Sequence, residues 1–152
     1  MCGLAGFIDS SLTEVEQKET IRSMLDSIKH RGPDNSGFKV SGDVVLGHNR
    51  LSIIDLSVNA NQPMVFQHLW MVYNGEVYNY LEIRRELEDN GYIFDTTSDT
   101  EVILKSYHKW GSSCVDKFIG MWAFVIWDVN DKHLFCSRDR FGIKPFFYIF
   151  QN

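Results

Sequence analysis

The chain begins Met1-Cys2-Gly3-Leu4-Ala5-Gly6-Phe7-Ile8-Asp9, so a thiol sits directly behind the initiator methionine. Small second residues such as Cys permit aminopeptidase removal of that methionine. Removal would leave one residue carrying both a thiol and a free α-amine. A thiol attacks poorly until a base takes its proton. A free α-amine titrates near ~7.7–8.0 and a free thiol near ~8.5, so at neutral pH the amine is a usable base beside its own sulfur. An N-terminal amine that activates a Thr nucleophile follows this logic, and a Cys can take the same place. On position alone, a small buried hydrophobe at the start of a strand explains Cys2 more readily. The other polar candidates also have ordinary readings. Asn74-Gly75 is a turn dipeptide, Arg50 a loop charge, and Ser98-Asp99-Thr100-Glu101 has the chemistry of a helix start.

The totals narrow the field. A chain of 152 residues, 44% hydrophobic and 23% charged, is one globular domain with a sizeable core. A net charge of −5 with no Lys/Arg run excludes a nucleic-acid surface and an anionic membrane. The longest apolar run, Met121 to Trp127, is far too short to span a bilayer. The N-terminus lacks a secretory pattern. Cys2, Cys114 and Cys136 form no metal-ligand spacing and are odd in number, which favours a reducing cytoplasm with Cys114 and Cys136 as core thiols. His30, His48, His68, His108 and His133 show no metal spacing either, so no metal is expected.

Several elements must position these groups. Gly3–Ile8 reads as a buried strand. Thr13 and Glu16 have capping-box spacing, and the helix behind them carries Ile21, Met24, Leu25 and Ile28 on one face. Lys29, His30 and Arg31 suit its last turn, with Gly32 left-handed and Pro33 stopping it. Strands are expected at Ser36–Val40 and Asp43–Gly47 about Ser41-Gly42, and at Leu69–Tyr73, where Asn74-Gly75 stops the strand. Asn79 opens a helix to about Asn90, ended by Gly91. Asp99 begins another with Val102, Ile103, Tyr107 and Trp110 in register. Met121–Trp127 should be a central strand buried on both faces. His133–Ser137 and Pro145–Phe150 complete the strands, with Trp122, Phe124, Trp127, Phe146, Phe147 and Tyr148 in the core. This α+β pattern suggests packed antiparallel sheets flanked by helices.

In this order the segments Met1-Cys2-Gly3, His30-Arg31-Gly32-Pro33-Asp34, Gly47-His48-Asn49-Arg50-Leu51-Ser52-Ile53-Ile54-Asp55, Asn61-Gln62-Pro63-Met64, Tyr73-Asn74-Gly75-Glu76-Val77-Tyr78-Asn79, Ser98-Asp99-Thr100-Glu101 and Ser137-Arg138-Asp139-Arg140-Phe141-Gly142 cover nearly the whole chain. Together they resemble the glutaminase domain of the class II, N-terminal-nucleophile glutamine amidotransferases, most of all that of the glutamine-hydrolysing asparagine synthetases. The resemblance implies a four-layer αββα sandwich over residues 1–152. It implies hydrolysis of L-glutamine to glutamate and ammonia through a thioester on Cys2, with the Asn74 side chain and the Gly75 N–H as oxyanion donors. Arg50 would grip the α-carboxylate of glutamine. Leu51, Ser52, Ile53 and Ile54 would line the pocket, and Glu76 and Asp99 would accept from the α-amino group. Arg31 and Asp34 would brace the loop facing the pocket. Arg138, Asp139 and Arg140 would form an ion-pair cluster or contact a synthetase half.

The sequence also departs from that family. No pyrophosphate-binding Ser-Gly-Gly-x-Asp-Ser motif occurs, so ATP, Mg and asparagine formation are expected to belong to a synthetase domain or subunit outside this chain. The family's domain also runs on with further strands. The expectation is therefore an incomplete last sheet, as a fragment, a natural truncation or a domain completed by a partner. A homo-oligomer is left open. Two other functions remain: an inactive remnant serving as a binding or regulatory module, and an N-terminal-nucleophile amidase acting on another amide.

Overall fold

In the computed structural model, which describes residues 2–150, two antiparallel sheets form the centre. The first contains β1 (Gly3–Ile8), β2 (Asn35–Ser41) and β3 (Val44–Arg50) in the order β1-β3-β2. β2 and β3 are a hairpin about Ser41-Gly42, where Gly42 takes the left-handed φ of +58°. Being in the middle, β3 is buried along its whole length. β1 is an edge strand in which only Gly3 is buried, so the buried strand expected at Gly3–Ile8 is only partly covered: Ala5 and Phe7 pack on the α1 side and Leu4 on the side of the second sheet.

The second sheet runs β4 (Met64–Phe66), β5 (Leu69–Val77), β6 (Gly120–Asp128), β7 (His133–Arg138) in chain order. β5 does not stop at Asn74-Gly75. It continues to Val77, with Asn74 opposite Ala123 and Gly75 opposite Trp122. Pairing along the whole of β6 outweighs the local turn preference of Asn-Gly. Gly75 is needed for a different reason: a Cβ there would lie 2.3 Å from the Met121 carbonyl oxygen. β6 is the expected central strand, buried from Trp122 to Asp128.

Three helices cover the outer faces. α1 (Glu14–Ser27) opens with the full capping box: the Thr13 and Glu16 side chains each accept from the other's backbone N–H, at 3.4 and 2.8 Å. Its Ile21 and Leu25 pack on Val45 of the first sheet. α1 ends at Ser27, and Lys29–Arg31 form a separate 3₁₀ turn. Gly32 is extended at φ −153°, not left-handed, and a Cβ on it would lie 2.3 Å from the Asn49 carbonyl oxygen. α2 (Tyr80–Asp89) and α3 (Asp99–Trp110) lie on the second sheet, where Ile83, Leu87, Ile103 and Leu104 meet Met71, Tyr73, Trp122 and Phe124. Ser98, not Asp99, caps α3 by accepting from the Glu101 N–H. Asn79 does not cap α2; its amide bonds the Lys117 carbonyl and the Ile119 N–H ahead of β6. Between the sheets, Val44 and Leu46 pack against Val72, Val125 and Trp127. The layers are thus α1, first sheet, second sheet, and α2 with α3, the expected αββα order.

The C-terminal stretch differs from expectation. Residues 145–150 form no strand, and Phe147 and Tyr148 are 91% and 77% exposed. Among the described residues no strand pairs with them, so the expected strand is not formed. Cys114 is a core thiol that burial pushes up to about 12, but Cys136 is exposed. Cys136 lies opposite Val125 on β7, the edge strand of the second sheet. Arg138, Asp139 and Arg140 are not an ion-pair cluster. Asp139 accepts N–H bonds from Trp122, Phe141, Ile143 and Lys144. Burial alone would raise its carboxyl, but those bonds outweigh it and hold the group below the usual range. Arg138 and Arg140 donate to main-chain carbonyls instead.

One tie joins the sheets through a titratable group. His48 on β3 is fully buried, and its Nε2–H donates to the Tyr73 carbonyl of β5 at 2.9 Å. Burial, with the Arg50 charge nearby, lowers its pKa to about 4. An unfolded His binds a proton below about pH 6.5, whereas this one stays neutral. Stability contributed by keeping it neutral is therefore complete above pH 6.5. As the pH falls to 4, about 3 kcal/mol of it should be lost. Urea midpoints measured from pH 7.5 to 4 should show that slope in the parent and a much flatter one in His48→Gln. Gly32→Ala should cost roughly 1–3 kcal/mol in the same assay, because the clash is with backbone that cannot rotate away.

Candidate active site

β4 pairs with β5 only from Leu69 to Met71. Past Met71 the outer edge of β5 has no strand beside it, and its backbone groups are met differently. The Tyr73 N–H donates to Gln62 Oε1 at 2.6 Å, and the Tyr73 carbonyl accepts from His48. The Val77 N–H donates to Asp99 Oδ2 at 3.0 Å. Alternate residues of a strand present their backbone groups to the same edge, so the Gly75 N–H, between Tyr73 and Val77, faces the same way.

That edge borders an open cavity of about 180 Å³. Cys2 sits across it, one residue before the Gly3–Asn49 pair that begins β1 against β3. The Leu51 N–H points at the Cys2 sulfur at 3.4 Å, and Arg31 Nε donates to the Cys2 carbonyl at 3.1 Å. Arg31 thus braces Cys2 directly. Asp34 accepts from the Ser52 N–H at 2.7 Å and holds the start of the following loop, the bracing part expected of it.

Nine of the ten predicted site residues line this one cavity: Cys2, Arg50, Leu51, Ile53, Ile54, Asn74, Gly75, Glu76 and Asp99. Ser52 does not; its N–H is turned to Asp34. Arg50 is 6% exposed, and its guanidinium donates to the carbonyls of Ser57 and Asp55 and to Asn61 Oδ1, which folds loop 51–61 around it. The same loop is anchored at its far side by Asp55, which accepts from Ser57 and from the Thr97 N–H. Those bonds, that to Ser57 foremost, hold the Asp55 carboxyl at about 2.

On the opposite wall, the Tyr73 hydroxyl donates to Asp99 Oδ2 at 2.7 Å. Burial and then the Asp99 charge raise Tyr73 well above its ordinary value, so it remains a donor. Burial also raises Asp99; its bonds from Tyr73 and Val77 oppose this, and the Glu76 charge adds to the rise. Asp99 and Glu76 thus place two carboxyl groups side by side on the cavity lining. Sequence reasoning missed Gln62, Tyr73, Ser98, Thr100, Met121 and Lys144, which also border the cavity. Gln62 and Tyr73 lie inside recognised motifs but act through backbone bonding and packing, which motif chemistry does not display. Among the described residues no group of three His, Cys, Asp or Glu could hold a metal, and no helix is long and apolar enough to cross a membrane.

Known proteins resemble the chain over nearly its whole length. The glutamine amidotransferase domain family matches residues 1–152. Asparagine synthetase [glutamine-hydrolyzing] 3 of Bacillus subtilis is 42% identical over 97% of this chain and 25% of its own length. Asparagine synthetase [glutamine-hydrolyzing] 1 of the same organism is 44% identical over 97% of this chain and 24% of its own length. The chain therefore spans about a quarter of the curated relatives it matches. Among solved structures, the glutamine phosphoribosylpyrophosphate amidotransferase of B. subtilis superposes with a TM-score of 0.75 over 95% of this chain and 38% of that one; at 22% identity it speaks for the fold alone. With a family match over its full length and the αββα layers in place, the chain belongs to the glutamine amidotransferase domain family and is homologous to the matching portion of the glutamine-hydrolysing asparagine synthetases.

Proposed function

We propose that this domain hydrolyses L-glutamine to glutamate and ammonia. The observation that carries the reading is that the Cys2 sulfur and the strandless edge of β5 at Asn74–Gly75 face one cavity, with Arg50 and Asp99 in its walls. The Cys2 sulfur attacks the side-chain amide carbon while the α-amine of Cys2, acting through a water, takes the thiol proton. Negative charge develops on the amide oxygen, where the Asn74 side-chain N–H and the Gly75 N–H are the donors. The proton passes to the leaving nitrogen, ammonia departs, and water then cleaves the γ-glutamyl thioester. Removal of Met1, on which the free amine depends, concerns a residue outside the described ones.

Substrate choice follows from the charges. Arg50 faces the α-carboxylate, and Glu76 with Asp99 faces the α-ammonium. Leu51, Ile53 and Ile54 supply apolar lining. No step needs a bound cofactor. In a longer assembly of the kind the relatives represent, a synthetase domain would consume the ammonia together with ATP and Mg to form asparagine from aspartate. The three free thiols support a cytoplasmic setting.

Glutamate release from glutamine tests the proposal, with the intact N-terminal mass read in parallel. Met-trimmed chain should release glutamate, and Cys2→Ala should release none. Asn74→Ala should lower kcat by roughly 10²–10³ with little change in KM. Release by Cys2→Ala at the parent rate, or none by folded and trimmed parent chain, would overturn the assignment. N-acetylglutamine should not be a substrate, since it lacks the ammonium that Glu76 and Asp99 are placed to receive. Equal rates on both amides would make the domain a general amidase.

A further inference from the structure

Nucleophile and oxyanion donors stand on different sheets: Cys2 precedes β1 in the first, and Asn74–Gly75 belong to β5 in the second. Nothing covalent fixes the distance between them. One hydrogen-bonded route between them passes through His48. Its register partner on β1 is Leu4, two residues from Cys2, and its Nε2–H bonds the carbonyl of Tyr73, the residue before Asn74. The Tyr73 N–H is taken by Gln62, and its hydroxyl by Asp99. Tyr73 is 3% exposed, so both backbone groups would lack partners without these two side chains.

We infer that His48 and Gln62 are positioning residues that clamp the Tyr73 backbone from both sides and so set the Asn74 and Gly75 donors against the Cys2 sulfur. His48 Nδ1 has no protein partner among the described residues, so the imidazole spends only its Nε2 side, on this one carbonyl. A residue kept merely to fill the core would be cheaper as a hydrophobe, because a buried unpaired ring nitrogen is costly. Oxyanion donors act mainly in the transition state, and a displacement near 1 Å can cost up to about 10²-fold in rate. The clamp should therefore govern kcat rather than glutamine binding.

This inference rests on the glutaminase reading, and the test separates the two. Steady-state glutamate release is measured for parent, His48→Leu, His48→Gln and Gln62→Met. The rate of Cys2 alkylation by iodoacetamide is followed by peptide mass, which keeps it apart from exposed Cys136. His48→Leu and Gln62→Met should lose about tenfold or more in kcat with KM changed by less than about threefold. Cys2 alkylation, which needs no oxyanion donor, should stay within about twofold of parent. His48→Gln, which can present an amide N–H at the place of Nε2, should recover most of the kcat. Unchanged kcat in Gln62→Met and His48→Leu overturns the inference while leaving the glutaminase assignment intact. An equal loss in His48→Gln and His48→Leu, or a loss appearing in KM, also overturns it. If His48→Leu does not fold, Gln62→Met decides; failure of both to fold would assign the bonds a purely structural part and overturn it as well. An inactive parent chain sinks the glutaminase reading, and this inference with it.

Discussion

The whole site depends on a missing neighbour. β4 leaves β5 after three paired residues, and from Tyr73 onward one edge of a central strand runs without a partner. A bare edge inside a protein is normally a liability, since each backbone group there must find a bond or stay wet. Here its groups are divided. Those of Tyr73 and the N–H of Val77 are met by side chains, and that of Gly75 is turned to the cavity. A donor of this kind is held by the sheet on one side and open on the other. That is the condition for stabilising a charge that appears only briefly.

The electrostatics of the cavity follow from what burial does to each group. Arg50 is nearly enclosed but surrounded by carbonyl oxygens, so its charge is solvated by the loop it organises. Asp99 is enclosed with the Glu76 charge close by, and burial foremost raises its proton affinity. His48, deeper still, is neutral. Cation and carboxylates thus line one cavity.

Local chemistry was readable in the sequence where it acts locally. Thr13 and Glu16 cap α1 because the bonds span three residues, and Gly42 turns a hairpin because its own φ demands it. Gly32 and Gly75 were assigned to local conformations, yet both are glycine because a distant backbone passes close by, and no window of sequence displays that contact. Cys136 looked like a core thiol, but it is exposed on β7, an edge strand, and sheet order is not displayed by a window of sequence. The site residues were legible as motifs, with Ser52 the exception, whose neighbours enter the cavity while its own N–H is spent on Asp34. His48 and Gln62 were not legible as a pair, because the partner they share is main chain and carries no side-chain signature.

The crowding at Gly75 also bears on how such a domain can change over evolutionary time. A side chain at that position would press on the Met121 carbonyl and the Trp122 Cα, and no exchange of neighbouring side chains relieves a collision with main chain. Drift at this position is therefore blocked by the central strand of the fold, whatever substrate is in use. A lineage that abandoned the proposed chemistry would still inherit the glycine, so its presence testifies to architecture rather than to activity.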